Sequence, residues 1–373
     1  MLSILCRRGA NHQLLLHRLE TWAEFRRHFT LFKATLASGG PNKLAPSRNK
    51  PADGRGNPRP KNPSQPSPKQ VFEQRIRDSK ESWKEALMLL QEMKASGHGA
   101  SLSAYNAAIN ACARGKQSSK ALELMEEMSE VRISPNVITF NSTINACARA
   151  KQWQKAVELL EIMKSNGVQP DVITMNAVIS ACEKGGQWEK ALALLDSMPG
   201  FGLKPNVITI SAAISACEKG AQWGKALALY ESMPGLGLQP NVITMNAVIE
   251  ALDKGGQFDR AIAIIDDGRF SGLLDHVWVS DAMVDLHDCS AAVARSVIGR
   301  LLGDLSAGKR GVCNITVITG RGNRSEGEAV LPQKMRDYLS SISGPTPCEV
   351  PGNPGCFVLT KESIQMWIQR SRK

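Results

Sequence analysis

The sequence lacks any apolar run long enough to form a membrane-spanning helix or the hydrophobic core of a secretory signal peptide. Four of its cysteines, Cys112, Cys147, Cys182 and Cys217, stand 35 residues apart, so no two of them have the close spacing of zinc ligands. The next equivalent position is Leu252, and a position that accepts leucine is a packing position. We therefore expect small buried thiols in a reducing compartment here, rather than a metal site or a disulfide.

Residues 71–276 also lack an excess of basic residues, although the whole chain has a formal net charge of +11. This segment has 21 Lys and Arg against 23 Asp and Glu, whereas residues 1–70 have 13 against 3. The positive charge is therefore concentrated near the N-terminus. The net charge alone gives no reason to assign nucleic-acid binding to the middle of the chain.

Residues 1–40 are poor in acidic side chains, since only Glu20 and Glu24 oppose several arginines, and their apolar residues fall at loosely helical spacing. This composition is typical of an organellar transit sequence. We expect a mitochondrial location, with the plastid as the alternative. Residues 41–66 are rich in Pro, Asn, Ser, Gly and Lys, which predicts a disordered linker.

The most informative feature that is present is a 35-residue repeat. Residues 176–192 read NAVISACEKGGQWEKAL, and residues 211–227 read SAAISACEKGAQWGKAL. A strict period of this length is typical of stacked helical hairpins, so we predict an α-helical solenoid of tandem helix–turn–helix repeats. The solenoid spans residues 67–276, with a degenerate copy at 67–101 followed by repeats at 102–136, 137–171, 172–206, 207–241 and 242–276.

One repeat, residues 137–171, illustrates the prediction. Its apolar spacing predicts a first helix near Thr139–Ala150 and a second near Trp153–Ser165. Gly167 and Pro170 then end the helical pattern. A single hairpin of this kind buries too little surface to be stable alone, so the array is expected to fold by stacking.

The fifth residue of each repeat is polar, and most repeats end in Pro-Asn or Pro-Asp. The fifth residues are Asn106, Asn141, Asn176, Ser211 and Asn246, and the end pairs are Pro135-Asn136, Pro170-Asp171, Pro205-Asn206 and Pro240-Asn241. This pattern closely resembles the pentatricopeptide repeat family over about residues 102–276, and more weakly over 67–101. Tetratricopeptide repeats, which bind peptides, have a period of about 34 residues instead.

The resemblance implies binding of single-stranded RNA at one base per repeat. The residues implied to contact base edges are Asn106 with Asn136, Asn141 with Asp171, Asn176 with Asn206, Ser211 with Asn241, and Asn246 with His276. The usual correspondence in the family assigns cytosine, uracil, cytosine and adenine to the first four pairs. The fifth pair departs from the common ones and is expected to select a pyrimidine, which gives the core 5′-CUCA-pyrimidine-3′.

The family also implies that the second residue of each repeat sandwiches the base plane. These residues are Ile138, Ile173, Ile208 and Ile243, with Ser103 as the exception. An alternative is that the asparagines only cap the first helices, because Asn is a favoured cap residue. We expect a cap nearer Thr139 or Thr174 than Asn141 or Asn176.

A cation also recurs near the end of each first helix, at Arg114, Arg149, Lys184, Lys219 and Lys254. Stacked repeats would align these residues as a column in which each contacts one RNA phosphate. Cations at a helix C-terminus also offset the helix dipole. Both interpretations are compatible with the sequence.

After about residue 277 the period is lost and an α/β pattern begins. The predicted elements are strands at 284–287 and 314–319, a helix capped by Ser290 that extends to about Leu305, a helix near Val330–Ser341, a hairpin within 347–359, and a short helix capped by Thr360.

Two motifs in this region, DLH at 285–287 and TGRGNRS at 319–325, together resemble the small MutS-related (Smr) domain, some members of which nick DNA or cleave RNA. The resemblance covers residues 277–373. It implies Asp285 and His287 as catalytic residues, and a phosphate loop that contains Gly320, Arg321 and Gly322. His287 would act as general base or acid, and Asp285 would orient it or help to hold a cation, for which we expect Mg²⁺ if cleavage occurs. A polar strand end beside an ordinary turn would instead bind RNA without cleaving it.

The combined interpretation is sequence-selective binding of single-stranded RNA for organellar RNA processing, stabilisation or translation. One alternative is a site-specific RNA endonuclease in which the domain at residues 277–373 cleaves the RNA. Another is a peptide-binding helical scaffold. The sequence identifies no protein partner and no further cofactor.

Overall fold

The computed structural model describes residues 67–79, 82–266, 274–320 and 330–372. The predicted transit-like segment, residues 1–40, and the predicted linker, residues 41–66, lie outside this part of the chain. The fold divides into two compact units, one up to Ala181 and one from Cys182 onwards.

The first unit is built from paired helices, as the repeat predicted. They are α1 (Pro68–Asp78), α2 (Trp83–Ala95), α3 (Leu102–Arg114), α4 (Ser118–Glu130), α5 (Val137–Arg149), α6 (Trp153–Ser165) and the start of α7 (Val172–Lys184). Within this unit α3 packs against both α4 and α5, so this first helix contacts its own partner and the next first helix. The degenerate repeat 67–101 contains two helices, although only its second was recognisable from the sequence.

The second unit continues the same arrangement. It contains the end of α7, then α8 (Trp188–Ser197), α9 (Val207–Lys219), α10 (Trp223–Ser232), α11 (Val242–Lys254) and α12 (Phe258–Ile265), with short 3₁₀ turns at Met198–Phe201 and Pro234–Leu236. In this unit α9 packs against α10 and α11. The predicted tandem helical hairpins are therefore confirmed in both units.

The repeating cysteines lie inside the helical core. Cys112, Cys147, Cys182 and Cys217 have no exposed surface, and neither has Leu252 at the equivalent position. Burial raises the pKa of Cys147 to about 12. A thiol with so high a pKa is protonated and unreactive at neutral pH, so the predicted packing role is confirmed.

The turn between the two helices of a repeat is packed against a side chain from the preceding repeat. Three indole rings contact a glycine in this way: Trp83 at Gly115, Trp188 at Gly220 and Trp223 at Gly255. The equivalent turn residue in repeat 137–171 is Ala150, and the residue 32 positions before it is Ser118. The Ser118 hydroxyl donates to Gln152 Oε1 at 2.9 Å. Glycine is thus found where a bulky ring fills the space, and alanine where a serine leaves it open.

The C-terminal region of the second unit is an α/β domain. Its elements are β1 (Trp278–Ser280), β2 (Met283–Asp285), α13 (Ala291–Ser306), β3 (Ile315–Ile318), α14 (Val330–Ser341), β4 (Pro347–Glu349), β5 (Cys356–Leu359) and α15 (Lys361–Ser371). The sheet order is β1-β2-β3-β5-β4, in which only the β2–β3 pair is parallel. The predicted caps are confirmed, since Ser290 Oγ accepts from Val293 N and Thr360 Oγ1 accepts from Ser363 N.

Two details of this domain differ from the sequence prediction. Strand β1 was not predicted, because three residues are too few to show an alternating pattern. The predicted strand at 284–287 instead ends at Asp285, where the Asp285 side chain accepts a hydrogen bond from His287 N at 3.1 Å and turns the chain.

Among the described residues, no helix combines the length and the apolar character that crossing a bilayer requires.

Candidate nucleic-acid interface

The last residue of one repeat caps the first helix of the next. Asn136 has extended backbone angles, and its Oδ1 accepts a hydrogen bond from Thr139 N at 3.1 Å. The Thr139 hydroxyl in return accepts one from Asn136 N at 3.2 Å, which completes a capping box. Asn206 and Asn241 cap α9 and α11 in the same way.

This arrangement corrects the cap position expected from the sequence. The caps are the repeat-end residues, and the fifth-position asparagines lie inside the first helices. Helix α5 therefore begins at Val137, two residues earlier than expected, because Asn136 has already satisfied the amide of Thr139. The last residue of a repeat, one of the two predicted base-contacting positions, thus also caps a helix. The fifth residue, the other predicted position, does not act as a cap.

A buried threonine joins the two predicted base-contacting residues of a repeat. Thr139 has no exposed surface, and its hydroxyl lies 2.7 Å from Asn106 Oδ1 while its amide holds Asn136 Oδ1. The Asn106 amide also donates to Asn136 Oδ1 at 3.4 Å. The fifth residue and the last residue of repeat 102–136 are therefore fixed side by side.

The next repeat has the same geometry with a carboxylate. Asn141 Nδ2 donates to Asp171 Oδ1 at 3.1 Å, and Thr174 donates to that same oxygen from its amide at 2.7 Å. The Thr174 hydroxyl also lies 2.6 Å from Asn141 Oδ1. Burial acts to raise the pKa of Asp171, but the hydrogen bonds from Thr174 and Asn141 outweigh it and hold that pKa below its usual value. Asp171 is therefore ionised at neutral pH and can only accept hydrogen bonds.

The pair at repeat 207–241 is built on a shorter side chain. Ser211 is only 4% exposed, and its hydroxyl lies 2.6 Å from that of Thr244. Asn241 Oδ1 accepts a hydrogen bond from Thr244 N at 2.9 Å. The fifth position here is recessed, whereas Asn176, like the other asparagines at this position, is half-buried.

The fifth repeat lacks this construction. Asn246 is half-buried in α11 and His276 is exposed, but the position equivalent to the bridging threonines is Val279, which lies in strand β1. A valine in a strand has no hydroxyl with which to join the two side chains. The sequence prediction that this pair departs from the others thus has a structural counterpart.

Large apolar side chains protrude beside these polar pairs. The four isoleucines at the second position of the repeats are 60–65% exposed: Ile138, Ile173, Ile208 and Ile243. Each lies in the first turn of a first helix, next to the cap. An isoleucine held this far out of the core in these four repeats gives an apolar surface beside the polar pair.

Several of the predicted phosphate-contacting cations have protein partners. Lys219 forms an ion pair with Glu183, and Lys254 forms one with Glu218. An Arg114 Nη2 donor lies 3.5 Å from Ser79 O. Arg149 and Lys184, the other two members of the predicted column, are exposed at the ends of their helices. These ion pairs could not be predicted from the sequence, because each joins residues 36 positions apart.

A second group of polar residues lies in the α/β domain. His287 Nδ1 is 2.7 Å from Asp285 Oδ1, and its Nε2 is 2.9 Å from Asp288 Oδ2. Gly320 has a φ of +77°, and a Cβ built on it would lie 3.2 Å from His287 Cβ. The structure therefore brings three of the predicted residues, Asp285, His287 and Gly320, together.

The other predicted members of that group, Arg321 and Gly322, lie outside the described residues. Over the described ranges, no three His, Cys, Asp or Glu side chains are grouped as a metal site would require. Because Mg²⁺ is usually held by one or two carboxylates together with substrate phosphates, the expected Mg²⁺ stays a prediction.

Residues 135–184 and 170–219 match the model of the PPR repeat family, and residues 88–150 match the model of the pentatricopeptide repeat domain. Together these matches span residues 88–219. These matches do not extend into the α/β domain, so its resemblance to the small MutS-related domain stays a prediction. No curated protein matches the chain.

Among solved structures, the pentatricopeptide repeat protein PPR10 from maize is 22% identical, with a TM-score of 0.49, over 74% of this chain and 38% of that one. The same protein in complex with an 18-nt psaJ RNA element is 21% identical, with a TM-score of 0.45, over 74% of this chain and 43% of that one. The PPR domain of the Arabidopsis thaliana protein-only RNase P 1, in complex with tRNA, is 19% identical, with a TM-score of 0.44, over 50% of this chain and 100% of that one. The chain thus spans about two fifths of the length of the maize protein.

Proposed function

Starting from the pentatricopeptide repeats within residues 88–219, we propose that this protein binds single-stranded RNA in a sequence-selective way. The observation that carries the proposal is a polar pair bridged by a buried threonine beside an exposed isoleucine. The pair formed by Asn141 and Asp171, with Ile173 next to it, is one example. Such a unit offers one hydrogen-bonding edge and one apolar surface, which are the two contacts that an unpaired base requires.

The cap geometry determines which atom of the last residue remains for a base. In both Asn136 and Asp171, the Oδ1 atom is held by the amide of the following threonine. In an asparagine side chain only the oxygen can accept a hydrogen bond, so the second terminal atom is Nδ2 in Asn136, whereas it is Oδ2 in Asp171. The asparagine then presents a donor where the aspartate presents an acceptor.

This difference matches the two pyrimidines. Cytosine has an acceptor at N3, whereas uracil has a donor there. We therefore assign cytosine to the repeat ending in Asn136 and uracil to the repeat ending in Asp171. Asn206 gives cytosine again by the same argument.

The fifth position adds a size constraint. Ser211 is shorter than asparagine and is recessed against Thr244, so repeat 207–241 has room for a larger base. Adenine also has an acceptor at its central edge atom, N1, which suits the donor of Asn241. With a pyrimidine assigned to Asn246 and His276, the proposed core is CUCA followed by a pyrimidine.

Binding to labelled RNA tests this proposal against its alternatives. Purified protein would be incubated with an RNA that contains CUCA and a pyrimidine, and with a scrambled RNA of equal composition, with and without Mg²⁺. Retention of the first RNA without products supports the proposed binding function. Defined cleavage products favour the endonuclease, and retention of neither RNA rejects RNA recognition and favours a peptide-binding scaffold.

A second function, RNA cleavage by the α/β domain, is favoured by the contact between His287 and Asp285. With Asp285 accepting from Nδ1, the Nε2 atom of His287 is the one that would act as the base. For this step Nε2 exchanges its contact with Asp288 for a ribose 2′-hydroxyl and takes the proton of that hydroxyl, whose oxygen then attacks the adjacent phosphorus. The bond to the leaving 5′-oxygen breaks, and that oxygen acquires a proton from solvent.

The histidine is tested by His287→Ala, with His98→Ala as a control at an exposed histidine in the first unit. If cleavage occurs in the wild type, His287→Ala should reduce its rate by about 10²–10⁴-fold, and the control should not. Unchanged cleavage by His287→Ala would remove this residue from the reaction.

We also propose a mitochondrial or plastid location, based on the composition of residues 1–40. A fluorescent protein that carries these residues at its N-terminus should be imported into the organelle. Diffuse cytosolic fluorescence would reject the proposal.

A further inference from the structure

Acidic residues recur at the ends of the first helices of the second unit, each directly before a lysine. Glu183 pairs with Lys219 of the next repeat, and Glu218 pairs with Lys254 of the one after. Each of these ion pairs therefore ties one first helix to the next. We call this series the ion-pair ladder.

The third acid of the ion-pair ladder is Asp253, and no further repeat follows it. Its partner is instead Arg295 in helix α13 of the α/β domain. Arg295 Nε lies 2.8 Å from Asp253 Oδ1, and an Nη2 contact to Oδ2 makes the pair bidentate. Only 11% of the Asp253 side chain and 26% of the Arg295 side chain are exposed. Arg295 thus occupies the role that the lysine of a sixth repeat would have.

A glycine one turn further along α13 supports the same interpretation independently. Gly299 lies in the helix interior, where glycine costs about 1 kcal/mol relative to alanine. A Cβ at this position would lie 2.7 Å from Ile262 Cδ1 in α12 and 3.2 Å from Tyr338 Oη. Any larger residue would have to displace the end of the Ile262 side chain, so glycine suits the close approach of α13 to the last hairpin.

The loop that contains His287 leads directly into helix α13. His287 precedes the cap Ser290 by three residues, and Arg295 follows within the next two turns. On the other side of the contact, Asp253 lies on the same helix as Asn246, seven residues along, which corresponds to roughly 10 Å. Two helices and one bidentate ion pair thus connect Asn246, in the last proposed reading pair, to His287.

We propose that α13 takes the place of the first helix of a sixth repeat, and that Arg295 is a positioning residue that fixes the His287 loop relative to the last reading position. This inference rests on the proposed RNA binding. It means that the α/β domain contacts bound RNA at a constant number of nucleotides from the CUCA core.

The docking part is tested by hydrogen exchange of the amides in residues 291–306. Arg295→Ala should increase their exchange on the order of tenfold, because a loss of 1.4 kcal/mol corresponds to that factor. Arg295→Lys should retain most of the protection, since the ion-pair ladder uses lysine, and the reciprocal swap Asp253→Arg with Arg295→Asp should restore it. Arg370→Ala, at an exposed arginine of the same domain, is the control. Unchanged exchange in Arg295→Ala would overturn the inference.

The register part is tested with RNAs that carry the core and a single 4-thiouridine at successive flanking positions. In the wild type, crosslinks to the peptide that contains His287 should form at one or two of these positions. In Arg295→Ala and Gly299→Val they should spread over more positions, while affinity for the core stays within about twofold. An unchanged crosslink position in both variants would overturn the register. If the wild type binds no RNA, the register fails together with the proposed function, and the exchange result still decides the docking.

Discussion

Substitution of Gly220 by alanine should destabilise the protein, although the same change at an ordinary helix end is neutral or stabilising. Gly220 is the residue after α9, with a φ of −84°, so its backbone conformation is open to any residue. A Cβ at this position would lie 2.6 Å from Cγ of Trp188. The indole is a rigid ring in a packed position, so either the ring or the turn has to move.

The size of the effect follows from comparison with Ala150. This residue occupies the equivalent turn, with a φ of −85°, and there the side chain 32 positions earlier is the small Ser118. The backbone therefore contributes no strain in Gly220→Ala, and the cost is overpacking of about 1–3 kcal/mol. Without the indole, the change should stabilise by about 0.4–1 kcal/mol through the unfolded chain.

Urea unfolding followed by circular dichroism measures the difference, with the midpoint as the readout. Gly220→Ala should lower the midpoint, and Trp188→Ser should do so as well, because it removes a large packed side chain. In the Trp188→Ser background, Gly220→Ala should be neutral or stabilising, so the two changes should not be additive. Ala150→Gly is the matched control and should cost no more than about 1 kcal/mol. A raised midpoint in Gly220→Ala alone would refute the packing argument.

Three further predictions concern the proposed RNA-binding surface. Because hydrogen bonds hold the pKa of Asp171 low despite burial, its ionised form stabilises the fold at neutral pH, and this contribution should be lost as the pH falls below about 4. Thermal unfolding of the wild type and of Asp171→Asn should therefore show a stability difference that changes over that pH range. A difference that stays constant with pH would contradict the lowered pKa. Ile173→Ala should weaken binding of the CUCA RNA by about tenfold without lowering the unfolding midpoint, whereas Met88→Ala, an equally exposed side chain on a second helix, should not change binding. Lys184→Ala should reduce the slope of log K against log salt by about 1 if this cation contacts a phosphate, and an unchanged slope would assign it to the helix end alone.

The helical part of the fold was predictable because its signal is repeated. The bounds of the second helix Trp153–Ser165 are as expected, since tryptophan at its start and glycine after its end recur in register. The start of the first helix was less certain, because Asn136, Thr139 and Asn141 are all acceptable cap residues by type. Only their relative positions in space show which one accepts the hydrogen bonds of the first turn.

The predicted base-contacting residues could be named from the sequence, but the residue that joins them could not. Thr139 is buried and lies 33 residues after Asn106 in the sequence, so only its distances to Asn106 and Asn136 reveal its role. The same limit applies to Arg295 and Asp253, which are 42 residues apart and belong to regions of different pattern. Contacts of this kind depend on how elements pack, which periodicity does not record.

In the proposed function, the last residue of a repeat presents a donor or an acceptor to one base. Asp171→Asn tests it most directly, because it makes the pair in repeat 137–171 the same as Asn106 with Asn136 while retaining a favoured cap residue. Competitive binding of CUCA and CCCA RNAs should show the wild type preferring CUCA and the variant preferring CCCA, each by at least about tenfold. Equal preference for CUCA in both proteins would contradict the account.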